Sequence, residues 1–247
     1  MSILEICCDS YEDVIKADRA GADRVELNEA FALGGLTPSL GTLKLSLSDT
    51  SLSIICMVRP RLGGFCYDDA EYRVMREDAR QFLEAGAHGL AFGFLTKEGH
   101  PDLPRIRSMV DLVHGAGVEA VFHRAFDLCV RQEEACEGLI ACGVDRILSS
   151  GGRETAVQGK DRLRRLQERF GSRIQLLAGS GVQAENILSL REETGLDQFH
   201  SSCRDYREDP TTSNPFLSYG FYPAPRENAH NVVNEEKVRK LRSLLDA

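Results

Sequence analysis

The 247-residue sequence has no Cys-x-x-Cys pair, no apolar run approaching 18 residues and no excess of basic side chains. Each absence excludes something. Its eight cysteines, Cys7, Cys8, Cys56, Cys66, Cys129, Cys136, Cys142 and Cys203, are scattered, so no zinc knuckle is expected. Without a long apolar run there is no candidate membrane-spanning helix. A net charge of −8 argues against a general nucleic-acid or membrane-surface partner, because both need a basic face. A local basic pocket stays possible. The opening Met1-Ser-Ile-Leu-Glu-Ile goes straight into a strand pattern with no basic or apolar prelude, so no signal peptide is expected. The expected compartment is the cytoplasm, where the thiols stay reduced.

What is present is ordinary for a globular chain: 42% hydrophobic and 28% charged residues. The length suits two small domains or one α/β barrel of roughly 250 residues. A recurring pattern decides between them. Gly21-Ala-Asp-Arg-Val-Glu-Leu27 is echoed from Gly86, Gly117, Gly143 and Gly195, each glycine following an amphipathic stretch and preceding a short apolar run. This reads as a helix ending on a left-handed glycine, a tight loop, then a strand. Strands are expected at 3–7, 24–27, 54–58, 89–93, 119–123, 146–149, 174–178 and 198–200. Helices are expected at 11–20, 39–46, 69–85, 103–115, 133–141, 156–170, 184–192 and 235–245. Caps support several starts: Asp9 or Ser10, Thr37 with Pro38, Asp68, and Asn234. Eight strands alternating with eight helices predict a single-domain (β/α)8 TIM barrel over 1–247, with a doubly wound open sheet as the alternative. The non-periodic stretch 203–233 is expected to be a long loop after the eighth strand, serving as a lid or an interface.

Strand alternation then sorts the side chains. Leu4, Ile6, Val25, Leu27, Val58, Phe122 and Phe199 must face the helices. Glu5, Cys7, Glu26, Asn28, Arg59, His123 and His200 are left facing the lumen or its upper mouth. Such charges must pair or reach solvent, and barrel sites are built from residues at several strand ends. The run Val121-Phe-His-Arg-Ala-Phe-Asp127 offers His123 as an acid/base, with Glu26 or Asp127 orienting it; Arg124 braces Asp127 or reaches a ligand. Arg59-Pro-Arg61 before Gly63-Gly64 suits an anion clamp with a flap, or a structural ion pair to Glu26. The Ala178-Gly-Ser-Gly181 and His200-Ser-Ser202 turns offer Gly179, Gly181, His200 and Ser201 to an anion, or are simply tight turns. Cys7 beside Glu5 is the candidate metal ligand; the bland alternative is a buried small apolar residue.

Leu4-Glu-Ile-Cys-Cys8, Gly34-Gly-Leu-Thr-Pro-Ser39, Arg59-Pro-Arg61, Phe122-His-Arg-Ala-Phe-Asp127 and Ser149-Ser-Gly151 resemble the CutC copper homeostasis proteins. The resemblance implies a TIM barrel, a cytoplasmic homo-oligomer (homodimer or homotetramer) and copper, as Cu(I), held by cysteines. Of the family's copper cysteines Cys7 is kept, whereas Asn28 stands where members often carry the other. The Arg-Pro-Arg-Gly-Gly-Asp-Phe pattern of members reads Arg59-Pro-Arg-Leu-Gly-Gly-Phe65 here, without the acidic residue. Two readings remain open: a Cu(I)-binding homeostasis protein, and an enzyme acting on a small phosphorylated or carboxylated metabolite. A third is a scaffold that keeps the barrel only for its surfaces.

Overall fold

In the structure, a computed structural model that describes residues 2–247, the helices begin where side chains can satisfy the first free N–H groups. Ser10 caps α1 (Tyr11–Arg19), and Asp68 forms a capping box with Glu71 at α3 (Asp69–Glu84). Thr155 does the same with Gln158 at α6 (Ala156–Phe170), and Asn234 caps α8 (Glu235–Asp246). One expected cap moves: α2 (Leu40–Asp49) starts on Ser39 rather than Thr37. The Thr37 hydroxyl is already used, accepting from the Arg59 N–H at 2.9 Å and donating to the Arg59 carbonyl. The remaining helices are α4 (Leu103–Gly115), α5 (Gln132–Cys142) and α7 (Ile187–Thr194). All five repeat glycines, Gly21, Gly86, Gly117, Gly143 and Gly195, have φ between +70° and +94°, where a Cβ would strain the backbone.

Eight parallel strands follow these turns: β1 (Ile3–Cys8), β2 (Arg24–Leu27), β3 (Ser53–Met57), β4 (Gly89–Phe92), β5 (Glu119–Phe122), β6 (Arg146–Ser149), β7 (Gln175–Ala178) and β8 (Gln198–Ser201). They form a closed barrel in sequence order, sealed where Ile3 pairs with Gln198 and Ile6 with Ser201. No helix of the described residues is long and apolar enough to cross a membrane.

Apolar side chains occupy two layers. Leu4, Ile6, Val25, Leu27, Phe92, Phe122 and Phe199 lie fully buried in the large core that joins strands to helices. Each such burial contributes about 1.5–3 kcal/mol. Ile55, Met57, Ala91 and Val121 form a separate small cluster that fills part of the lumen. Below it, at the strand N-termini, runs a chain of polar contacts. Arg24 pairs with Glu5 (2.5 Å) and donates to Gln198 (2.9 Å); Gln198 donates to Gln175 (2.8 Å). Arg146 donates to the same Gln175 oxygen and pairs with Glu119 at 2.6 Å. The chain ties β1, β2, β8, β7, β6 and β5 together across the lumen.

The stretch 203–233 is not the plain loop that its missing periodicity suggests. It contains β9 (Arg204–Glu208) paired antiparallel with β12 (Ala229–Val233), and beyond them the two-residue strands β10 (Ser213–Asn214) and β11 (Leu217–Ser218). β9 and β12 are half-buried and polar (Arg-Asp-Tyr-Arg-Glu against Ala-His-Asn-Val-Val), so neither carries the alternation that marks a strand. The arm is anchored on the barrel. Asn231 donates to Asp9, and the Val233 N–H donates to Asp13.

Candidate functional site at the barrel mouth

The upper ends of the strands surround a cavity of about 810 Å³. Its floor includes Cys7, Glu26, Met57, His123, Leu148 and His200, and its rim includes Phe31, Phe65, Ser180, Ser202, Arg204 and Lys237. Sequence alternation placed the inward residues correctly: Cys7, Glu26, Asn28, Arg59, His123 and His200 all line this one space.

His123 follows β5 and is buried. Its Nδ1 accepts the Ala125 N–H at 3.1 Å, which leaves the ring proton on Nε2. That Nε2 has no partner among the described residues. Burial, then the nearby Arg59 charge, pushes the ring's pKa down to about 3. His123 is therefore a neutral N–H donor at physiological pH, not a group that shuttles protons through its cation. Neither Glu26 nor Asp127 orients it, contrary to the sequence expectation; the following backbone does. Room for the ring comes from Gly93, where a Cβ would fall 2.5 Å from His123 Cε1. Phe65, from the loop after β3, packs on the ring with centroids 4.9 Å apart.

Asp127 is fully used elsewhere. It accepts from the Ser149 and Ser150 hydroxyls, from the N–H groups of Ser150 and Gly152, and from Arg124 at 2.8 Å. It is the brace that holds the β6 loop to the β5 loop and does not line the cavity, which removes it as a catalytic candidate. Arg124 does line the cavity, half-exposed, while also donating to Ser150.

The two arginines of Arg59-Pro-Arg61 part company. Buried Arg59 donates to the carbonyls of Leu33, Gly34, Gly35 and Gly63. It makes no ion pair with Glu26 or any other carboxylate among the described residues, and its Nε is unpartnered. This explains the Gly34-Gly35 motif: positive φ at both glycines turns their carbonyls onto Arg59, and a Cβ at Gly34 would sit 3.0 Å from its Nη1. Arg61 instead turns outward, pairs with Glu71 on α3 and stacks on Tyr67. It does not line the mouth, so the expected two-arginine clamp reduces to Arg59.

Glu5, His200, Glu26 and Cys7 form one coupled set. His200 Nδ1 lies 2.7 Å from Glu5 Oε1. Burial opposes the charge on Glu5, but Arg24 and His200 outweigh it and hold the carboxyl well below its usual range. Burial likewise opposes a charged His200, yet contacts with Cys7, then Glu5 and Glu26, raise its pKa well above the ordinary value, and Glu5, 2.7 Å away, is its ionised hydrogen-bond partner. Burial pushes Glu26 up, although His200 pulls the other way. Burial also pushes the Cys7 thiol up. Asn28 donates to Cys7 Sγ at 2.9 Å and to Glu26 at 3.4 Å.

Potential ligand atoms of Cys7, Glu26 and His200 lie within 4.8 Å of one another. As a copper site the fit is partial. Cu(I) prefers soft donors, and this grouping holds one sulfur; Met57 and Cys203 line the cavity outside it. Cys7 and His200 also hold protons that a metal must displace. Cys8, Cys56, Cys129, Cys136 and Cys142 are buried and stand outside the cavity lining, and Cys66 is exposed.

The turns after β7 and β8 were legible as candidates, but not their state. Gly181 lines the mouth. Gly179 does not; its role is close packing, since a Cβ there would meet Leu148 at 2.6 Å. Ser201 lines the mouth but donates its hydroxyl to the Val182 carbonyl. Ser180 and Cys203 carry positive φ (+76° and +42°) in these turns, local strain of the kind stored at functional sites. Sequence reasoning missed Arg204, Lys237 and Lys240, which reach the mouth from β9 and α8. The only available signal was their position after a polar, aperiodic stretch.

The CutC family model matches residues 2–205. The chain belongs to the CutC family. A CutC family protein of Treponema denticola is 41% identical over 239 residues, covering 96% of each chain. A CutC protein of Streptococcus agalactiae, described as proposed to act in copper homeostasis, has a solved structure with a TM-score of 0.77 and 34% identity. The alignment covers 82% of this chain and 99% of that one. A deoxyribose phosphate aldolase of Aeropyrum pernix, at 17% identity and a TM-score of 0.57, covers 81% of this chain and 85% of its own and shares only the fold. Within this CutC-family barrel, the geometry resolves the Gly34-Gly35 and Phe122–Asp127 motifs into an arginine seat and a loop brace around one histidine.

Proposed function

We propose that this CutC-family barrel binds a small anionic metabolite bearing a carbonyl group and moves a proton at the adjacent carbon. One observation carries the reading: a buried, neutral histidine with an unpartnered Nε2–H lines the same cavity as a carboxyl whose pKa is raised. His123 would donate to the carbonyl oxygen and stabilise negative charge developing there. Glu26, in its ionised form, would take the proton from carbon and return it to the product. His200, fixed as a cation on Glu5, would keep Glu26 ionisable despite its burial. No lysine stands on the floor of the barrel, so an amine adduct with the carbonyl is not part of the reading. The anion is favoured by a mouth lined with five Arg and Lys side chains against Glu26 and Glu185, in a chain of net charge −8.

The test is proton exchange in D2O. Small 2-oxo acids and phosphorylated sugars are incubated with the protein and followed by NMR for deuterium beside the carbonyl. Exchange that falls about 10²–10⁴-fold in Glu26→Gln supports the reading; no exchange with any member of the set overturns it.

A second reading, Cu(I) binding, is favoured by the Cys7–Glu26–His200 grouping. It predicts affinity that rises with pH as Cys7 and His200 lose protons. Titration of Cu(I) against a competing chelator tests it: equal binding by the parent and Cys7→Ser, or none by the parent, removes it. Either reading places the protein in the cytoplasm as a homodimer or homotetramer. The arm beyond β9 supports assembly, since it exposes Phe216 at 96% and Tyr219 at 81%. A monomeric mass in solution would remove that part.

A further inference from the structure

We infer that the rim between β7, β8 and α8 is a seat for a phosphate monoester, the anionic end of the metabolite. This inference rests on the reading above and names the substrate class. Three successive N–H groups, from Ser180 to Val182, have no acceptor among the described residues, and neither does the N–H of Ser202. The Ser202 hydroxyl is also uncommitted. Val182 is buried, so its free amide lies where water cannot readily serve it. An unpaired buried amide is rare and costly in a folded protein.

Three cations line the same mouth as these amides. Lys237 donates to the Arg204 carbonyl but has no carboxylate partner, and Arg204 lies over the Phe31 ring at 3.9 Å, again without one. Lys240 has only a 3.4 Å contact with Glu185, both largely exposed. Arg204 and Lys237 line one mouth without carboxylate partners among the described residues, and a dianion relieves their mutual repulsion. The number of donors selects the anion. Four amides, a hydroxyl and two ammonium groups exceed what the two oxygens of a carboxylate accept, whereas the three terminal oxygens of a phosphate monoester match them. The turn glycines serve the same end, because Gly181 at φ +70° lets the chain present successive N–H groups to one side.

Inorganic phosphate is the probe, with acetate as the carboxylate control. Isothermal titration of the full chain at neutral pH should show one phosphate site and acetate binding at least tenfold weaker. The Lys237→Ala/Lys240→Ala double variant should weaken phosphate tenfold or more. A second readout does not depend on any variant: on adding phosphate, the amide NMR signals of Ser180, Gly181, Val182 and Ser202 should move together. If phosphate leaves those amides unmoved, or acetate equals it, the phosphate seat is wrong. Deuterium exchange into 2-oxo acids in that case would leave the proton-transfer reading standing, whereas loss of both removes both.

Discussion

At the lower end of the lumen, Arg24 is bound to Glu5 and Gln198, and Arg146 to Glu119 and Gln175. At the mouth, Arg59 has no carboxylate, His123 keeps an unpartnered Nε2–H, and Asn28 an unpartnered carbonyl oxygen. Both ends bury charge in the same barrel. Among the described residues the lower end is nearly closed on itself, with only Arg146 Nη1 left without a partner. The upper end holds donors and cations that the protein does not satisfy. Buried polar groups are normally paired, so a saturated network points to architecture, and an unsaturated one lining a cavity points to a ligand.

That contrast can be broken most directly by removing one member at each end. Arg24→Ala leaves Glu5 buried without its main partner and should cost about 3–5 kcal/mol in urea unfolding. Glu26→Gln should change stability by no more than about 1 kcal/mol, or raise it, because burial disfavours the Glu26 charge. Equal losses for the two variants would end the distinction between a structural floor and a functional mouth.

Gly93→Ala tests the space kept for His123. Its methyl would collide with the ring and with Ala125, at a cost of about 1–3 kcal/mol. The His123 ring signal in NMR should shift with it. A neutral outcome would mean that the ring has freedom the structure denies it.

The pH dependence gives a smaller, signed effect. His123 titrates at about 3 when folded against 6.5 when unfolded, so its contribution is fully present above 6.5 and lost as pH falls toward 3. Above pH 4.5 the raised Glu26 acts in the opposite sense, with stability falling as pH rises through its folded-state titration. The informative quantity is therefore the difference between parent and His123→Gln. The parent should lose up to about 1.4 kcal/mol more per pH unit on acidification. Parallel curves would contradict the neutral, buried histidine. The smallest effect is expected from Arg61→Ala, which should leave phosphate affinity within twofold of the parent by isothermal titration. A tenfold loss would return Arg61 to the mouth.

Much of the site was legible before the fold was seen, because barrel strands obey a period of two. Once Val25, Leu27, Phe122 and Phe199 were assigned to the helix side, Glu26, His123 and His200 had to share the lumen. Neighbours in sequence were the poorer guide. Arg59 and Arg61, two apart across a proline, go to different places because the chain has left the strand and alternation no longer holds. Asp127 looked like a partner for His123 because it is four residues away, yet a 3-10 turn at Arg124–Leu128 carries it to the β6 loop. Arg204 was invisible because nothing in an aperiodic polar stretch says where it will fold back, and Lys237 and Lys240 because a helix legible on its own does not say which part of the barrel it will pack against.

The sequence by itself determined the barrel, its glycine-terminated helices and the set of side chains that face inward. Those follow from local dihedral preferences and from alternation, which act over a few residues. Only the tertiary structure decided which inward groups satisfy each other and which stay unpaired. Hydrogen-bond partners in the lumen can lie far apart in sequence: Glu5 and His200 are separated by 195 residues. That pairing left His123 neutral and unpartnered, made His200 a cation and left the amides after β7 without acceptors. Burial and long-range contact set those states, and the states define the site.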